Sequence, residues 1–285
     1  MNFLQLLPTL LLVSLALVRF GLGLSLGVAD FQRLLKYPKA VVVALVLQVV
    51  VLPAACYALI VGFGLPPVFA VGLMLLAASP GGVSANLFSH LFGGNVAMNI
   101  SLTAINTLLS IVTLPLIANW AISTFARTGQ VVPLQWAKVA EVIGVVLVPV
   151  VIGMVVAARR PGFAQRMEKA FKIFSALVLA AFALIAIAKE WNALVTSFAS
   201  VGPAVVVFNL LSLLAGYYLS RAAGMDKSLA TAISFEIGIH NSTLAIYIAL
   251  SVLGNFQLAL PAAIYSVSMY ITATLFGLLV LRRSA

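Results

Sequence analysis

Residues 228–250 read SLATAISFEIGIHNSTLAIYIAL and combine an apolar segment long enough to cross a membrane with a polar interruption near its middle. Glu236 lies deep inside this segment, and Gly238, His240 and Asn241 follow it closely. A charged side chain at the centre of a membrane helix costs about 2.5–3.5 kcal/mol on insertion scales. The stretch therefore predicts a membrane helix that is broken at a functional site.

An apolar segment in the first half of the chain, residues 68–92, has a matching interruption. Its residues 78–86 read ASPGGVSAN. Proline removes a backbone donor and clashes with the preceding turn, and glycine weakens a helix, so this helix is also predicted to break. Interrupted apolar segments at corresponding places in two halves indicate a transporter site near the membrane midplane, where unpaired backbone groups line a cavity.

The composition places the whole chain in the lipid bilayer. Of its 285 residues 64% are hydrophobic and 8% charged, whereas about a quarter of an ordinary soluble domain is charged. We predict an all-α polytopic membrane protein, a single transporter unit over residues 1–285, whose first segment is a span and not a removable signal peptide. About nine transmembrane helices are expected, over residues 3–27, 40–63, 68–92, 96–123, 137–158, 171–188, 200–220, 228–250 and 258–281.

The basic residues follow the topology of such a protein. Twelve lysines and arginines fall in the connections on one side of the predicted membrane and three on the other. Positive residues concentrate in cytoplasmic loops, so the N-terminus is expected outside and the C-terminus in the cytoplasm of a bacterial inner membrane protein. The net charge of +10 therefore does not indicate a nucleic acid partner.

The two interruptions have the chemistry to bind an anion and a cation. Half-helices that begin near Asn86 and Asn241 would present unpaired N–H groups and positive dipole ends, so we expect a small organic anion there, against Ser84, Asn86, Asn241 and Ser242. Freed carbonyl groups before Asn241, together with Glu236, suit a hard cation, which prefers oxygen ligands to the cysteine and histidine clusters of transition-metal sites.

Three further polar features lie inside apolar segments. Arg19 lies in the first segment near its cytoplasmic end, and it is expected to extend its guanidinium towards the membrane surface. Gln48 lies in LVLQVVVLP, residues 45–53. A polar stripe along one helical face consists of Asn99, Thr103, Asn106 and Ser110. For the stripe and for Gln48, hydrogen bonding between helices is favoured over ligand binding.

Four motifs resemble the bile acid:sodium symporter family: GLGLSLGVADFQRLLKYPK (21–39), SPGGVSAN (79–86), GGNVAMNISLT (93–103) and FEIGIHNSTLAI (235–246). The resemblance implies an inverted-repeat fold with two crossed, broken helices and sodium-driven uptake of organic anions. It also implies a panel domain and a core domain. The panel helices would be 3–27, 137–158 and 171–188, and the core helices would be 40–63, 68–92, 96–123, 200–220, 228–250 and 258–281.

The same resemblance implies two sites for Na⁺, the expected coupled ion, that share Glu236. The first consists of Asn86, Asn99, Thr103 and Glu236, and the second of Gln48, Glu236, the carbonyl groups of Ile237 and Ile239, and His240. The chain departs from the family pattern in Ala85 and Asn99, which replace serines, and in His240, which replaces a glutamine. Imidazole nitrogen is a poorer partner than an amide oxygen for a hard cation, so the number of bound sodium ions, one or two, remains open.

The predicted function is sodium-coupled symport of a bile acid-like or smaller monocarboxylate, such as a keto acid or pantoate, with no obligate protein partner evident. Two alternatives remain. A proton-coupled carrier of the same fold would use Glu236 and His240, because imidazole titrates near neutral pH. An intramembrane hydrolase would use Ser242, His240 and Glu236, but helical residues two apart diverge in direction, so an enzyme is not expected.

Overall fold

The structure, a computed structural model, describes residues 3–126, 136–167 and 191–281, with isolated positions at 170–171, 173–174 and 177. Within these ranges the chain is almost entirely helical, and the one β feature is an isolated bridge between Gly81 and His240. The all-α membrane class predicted from the sequence is confirmed.

The helices that build the site and its surroundings run in both halves of the chain. They are α1 (Phe3–Ser25), α2 (Val28–Lys36), α3 (Pro38–Phe63), α4 (Pro67–Ala78), α5 (Ser84–Leu91), α6 (Val96–Phe125), α7 (Trp136–Arg159), α8 (Trp191–Ala222), α9 (Lys227–Gly238), α10 (Ser242–Val252) and α11 (Gln257–Leu281). The order of a long helix, a broken helix and a second long helix occurs twice, as α3, α4–α5, α6 and as α8, α9–α10, α11.

Four described helices are long and apolar enough to cross a membrane, namely α3, α6, α11 and the part of α8 over Phe198–Ala222. A fifth candidate is the pair α1 and α2, whose axes bend by 67° at residues 26–27. The shorter apolar helices include α4 and α10, one member of each broken pair. The predicted segment 171–188 lies almost entirely outside the described residues.

Two predicted boundaries differ from the structure. Residues 28–36 were expected to form part of a connection, but they form α2, which the carboxylate of Asp30 caps by accepting the backbone N–H of Gly27 at 2.8 Å. Arg33 in its last turn complements the helix dipole. The helix α8 begins at Trp191, before the expected residue 200, and contains Pro203. Packed membrane helices tolerate such a proline because neighbouring groups satisfy the freed carbonyl.

Burial separates the broken helices from the others. Every residue from Ala70 to Ala78 in α4 and from Leu229 to Gly238 in α9 is buried. In contrast, α3, α6 and α11 present exposed apolar side chains on their outer faces, such as those of Val50, Leu116 and Ile271. An all-round apolar helix is stable in the interior of a bundle, so the breaks lie at the centre of the molecule.

Packing fixes the positions of the two broken helices. Helix α9 contacts α5, α6 and α8, and helix α4 contacts α3, α6 and α11. Helix α1 packs along α7, and it also contacts α10. Each break is therefore enclosed by helices from both halves of the chain.

Candidate functional site

The two breaks cross each other and are joined through their backbones. The N–H of Gly82 donates to the carbonyl of Ile239 at 2.6 Å, and the N–H of Asn241 donates to the carbonyl of Pro80 at 2.8 Å. These bonds form the bridge between Gly81 and His240. Buried backbone groups must find partners, and here each unwound stretch satisfies the other. The structure thus confirms two crossed, discontinuous helices.

The second helix of each broken pair begins beside the crossing. Asn241 caps α10, because its side-chain oxygen accepts the N–H of Leu244 at 3.0 Å. Helix α5 begins at Ser84, so Asn86 lies within its first turn. The hydroxyl groups of Ser84 and Tyr270 lie 3.1 Å apart. The starts of the two half-helices agree with the sequence prediction to within two residues, and the side-chain oxygen of Asn241 is used as a cap.

Glu236 lies in the last turn of α9 and is fully buried. Its Oε2 accepts the hydroxyl of Thr103 at 2.6 Å, and its Oε1 accepts the amide N–H of Asn106 at 2.9 Å. Both partners lie on α6, on the polar stripe predicted from the sequence. The interpretation of the stripe as hydrogen bonding between helices is confirmed for these two residues, and both bond to the buried carboxylate of Glu236.

Gly81 allows the break in the first pair to approach that carboxylate. A Cβ atom at this position would collide with Oε1 and with the backbone carbonyl of Glu236. The sequence marked Gly81 as a helix breaker but gave no sign of this contact, which depends on how the two breaks cross.

Four amide side chains around the crossing share one feature: each has a buried side-chain oxygen with no hydrogen-bond partner among the described residues. They are Gln48, Asn86, Asn99 and Asn106. Three of them also donate through their amide nitrogens. Gln48 donates to the carbonyl groups of Ala77 and Ser79 at 3.2 and 3.0 Å. Asn99 donates to Ser89 Oγ at 2.8 Å and to the carbonyl of Ala232 at 2.7 Å, and Asn106 donates to Glu236.

A buried amide oxygen without a donor is uncommon in folded proteins and calls for an explanation. The free groups here are acceptors, and one of these amides, Asn106, also donates to the buried carboxylate of Glu236 on α9. Oxygen ligands of this kind suit a hard cation such as sodium. The residues present therefore fit a sodium ion, and Asn106 joins the predicted candidates Gln48, Asn86, Asn99, Thr103 and Glu236.

A second hydrogen-bond network holds the end of α9. The amide nitrogen of Asn209 and the hydroxyl of Tyr265 both donate to the carbonyl of Gly238, at 2.6 and 2.8 Å. Thr272 donates to the side-chain oxygen of Asn209. The network lies next to the predicted carbonyl ligands of Ile237 and Ile239, and it was not predicted from the sequence. Like Gln48, Asn209 is a single amide in an apolar run, VVVFNLL (205–211), and this isolation is the signal that the sequence carries for it.

The imidazole of His240 lies between two aromatic rings. Its centroid is 5.5 Å from those of Phe208 and Tyr265, and the rings are nearly parallel. Both ring nitrogens lack a hydrogen-bond partner among the described residues. The carboxylate of Glu236 is bonded to Thr103 and Asn106, so the described contacts do not form a Ser242, His240 and Glu236 triad.

The prediction that Arg19 reaches the membrane surface is wrong. Its side chain is 1% exposed, and Nη1 donates to the hydroxyl of Thr107 at 3.5 Å. It shares one face of α1 with Leu15 and Leu22, which are both buried, so the helix carries the guanidinium into the protein interior.

The geometry agrees with the family assignment from sequence comparison. The sequence model of the Sodium Bile acid symporter family matches residues 12–197, about two thirds of the chain. The chain belongs to this family. The match includes the first broken helix, and it ends before α9, which carries Glu236.

Relatives of this family align over most of the chain. A probable chloroplastic sodium/metabolite cotransporter of Oryza sativa subsp. japonica is 29% identical over 93% of this chain and 64% of its own length. An uncharacterized sodium-dependent transporter of Bacillus subtilis is 28% identical over 90% of this chain and 78% of its own. The ileal sodium/bile acid cotransporter of Homo sapiens is 26% identical over 84% of this chain and 68% of its own. These relatives are transporters, not enzymes.

Proposed function

We propose that this protein is a sodium-coupled symporter that carries a small organic anion across the membrane by alternating access. The observation that carries the proposal is the set of four unpartnered amide oxygens around the crossing of two broken helices, with the Glu236 carboxylate beside it. Sodium dependence in the names of the relatives from Bacillus subtilis and Homo sapiens supports the choice of ion.

Glu236 balances the charge of the bound sodium. In the first site, the carboxylate acts with Asn99, Thr103 and Asn86, and the free oxygen of Asn106 lies next to it. In the second site, the same carboxylate acts with Gln48, the carbonyl groups of Ile237 and Ile239, and His240. The Ile239 carbonyl already accepts from Gly82, but a carbonyl oxygen has two lone pairs and can also contact an ion.

The anion binds where α5 and α10 begin, against Ser84, Asn86, Asn241 and Ser242, because the positive dipole ends of two helices favour negative charge. The panel consists of α1, α7 and residues 171–188, and it moves against a core built from the other membrane helices. Close packing of α1 on α7 supports this division.

The N-terminus lies outside a bacterial inner membrane, and the C-terminus lies in the cytoplasm.

Uptake into proteoliposomes tests the proposal. Cholate, pantoate and pyruvate are offered under an inward sodium gradient, under an equal potassium gradient and under a pH gradient without sodium. We expect accumulation of at least one acid with the sodium gradient alone. Accumulation driven by the pH gradient and lost in His240→Gln would instead support the proton-coupled carrier. Failure of all three gradients to drive any of the acids would contradict symport of these monocarboxylates.

A further inference from the structure

Arg19 is a buried cation without a counter-charge among the described residues. Its Nε and Nη2 atoms have no hydrogen-bond partner there, and its Nη1 reaches only Thr107. Among the described residues the one ion pair joins Arg33 to Asp30, so it does not involve Arg19. A buried, unpaired guanidinium is costly, so a residue of this kind in a membrane helix calls for a functional explanation.

The neighbours of Arg19 on α1 show where it points. Leu22 on α1 and Leu26, which directly follows that helix, belong to a hydrophobic cluster against which Val83 packs, and Val83 directly precedes α5. Leu15 belongs to a second cluster that includes Leu244 in the first turn of α10. Residues four and three apart share a helical face, so Arg19 lies on α1 between the residues that join these two clusters.

The partner of Arg19 on α6 places the guanidinium beside the sodium site. Thr107 accepts the hydrogen bond from Arg19, and the preceding residue, Asn106, binds the carboxylate of Glu236. Successive residues of a helix point about 100° apart, so the guanidinium and the carboxylate lie against neighbouring sides of α6. A sodium ion bound at the carboxylate and a substrate anion bound at the guanidinium would therefore stabilise each other by charge.

We propose that Arg19 binds the carboxylate of the transported substrate. This assignment rests on the proposed function and adds to it the residue that binds the charged group of the substrate. A guanidinium forms two parallel hydrogen bonds with a carboxylate, a geometry that matches its free Nε and Nη2 atoms. A single guanidinium balances a single negative charge, so the substrate class is a monocarboxylate.

Binding to purified protein in detergent tests the assignment. Pantoate, pyruvate and cholate, and the neutral amide of each, are titrated with sodium present while Tm is followed. The acid that stabilises wild type most becomes the probe. Arg19→Met is expected to lower the ratio of acid to amide affinity by about tenfold to a hundredfold, the loss expected for hydrogen bonds to a charged group. A structural role alone would weaken both forms alike and leave this ratio unchanged.

Controls separate the possible failures. Arg159→Met removes an exposed arginine and should leave the ratio unchanged. Retained stabilisation by sodium shows that Arg19→Met is folded; if it does not fold, Arg19→Gln is measured in the same way. Arg19→Lys should keep much of the preference for the acid. An unchanged ratio of acid to amide affinity in Arg19→Met or Arg19→Gln would overturn the role of Arg19 and leave the proposed function standing. Absence of stabilisation of wild type by all three acids overturns the monocarboxylate substrate itself.

Discussion

At the scale of single residues, Gly81 sets how closely the two broken helices approach. We expect Gly81→Ala to lower Tm and to abolish the response to sodium, because the added methyl group would collide with the carboxylate and backbone carbonyl of Glu236. Overpacking of this kind costs about 1–3 kcal/mol. Gly62→Ala is the matched control, since a Cβ there meets no atom within 4 Å and alanine favours the helix. Equal sodium responses in both variants would argue against the crossing described here.

The hydroxyl of Thr103 bonds to Glu236 on another helix, whereas the hydroxyl of Thr113, farther along α6, bonds to a carbonyl of its own helix. Thr103→Val keeps the shape of the side chain but removes the donor to Glu236, and we expect sodium to bind about tenfold more weakly, as for a lost hydrogen bond to a charged group. Thr113→Val is the control, because among the described residues that hydroxyl bonds within α6, to the carbonyl of Leu109 at 3.2 Å. Sodium titrations followed by Tm compare the two, and a similar loss in both would assign the effect to the helix and not to the site.

At the scale of elements, α1 and α7 cross through a pair of glycines. A Cβ at Gly23 would meet the carbonyl of Val150, and a Cβ at Gly153 would meet the carbonyl of Phe20. Small residues allow close approach of membrane helices, which have little hydrophobic driving force between them. The position of α1 and of its Arg19 therefore depends on this contact.

Replacing one of these glycines should separate the two helices. We expect Gly153→Ala to lower Tm by several degrees, corresponding to about 1–3 kcal/mol of overpacking. Gly144→Ala, on the same helix, meets no atom within 4 Å and should be neutral or slightly stabilising. Thermal unfolding in detergent measures both. Equal Tm values for the two variants would show that α1 and α7 do not pack through Gly153.

At the scale of the whole molecule, the sequence predicted what depends on local chemistry. The breaks at Pro80 and near His240 were predicted because proline, glycine and clustered polar residues disfavour a helix wherever it is packed. Glu236 was found because a carboxylate is costly in an apolar segment. Eight of the nine predicted segments coincide with described helices or broken pairs, while 171–188 remains a prediction.

Contacts between distant parts of the chain could not be predicted in the same way. Asn209 and Tyr265 meet at the carbonyl of Gly238 only when α8, α9 and α11 pack together. The inward direction of Arg19 depends on which face of α1 meets α6. Composition also misled the interpretation of residues 28–36, because the charges that suggested a loop lie on one short helix.

We propose that Glu236 and the free amide oxygens around it bind sodium. The most direct test of this proposal is the Tm of the purified protein as sodium replaces potassium at constant ionic strength, since a bound ion stabilises the folded state by RT ln(1 + [L]/Kd). Wild type and the control Asp30→Asn, which changes a carboxylate on α2 away from the crossing, are expected to gain stability with sodium. Glu236→Gln keeps the size of the side chain and removes its charge, and it should remain folded and show no gain. A sodium-dependent rise in Tm for Glu236→Gln equal to that of wild type would contradict the account.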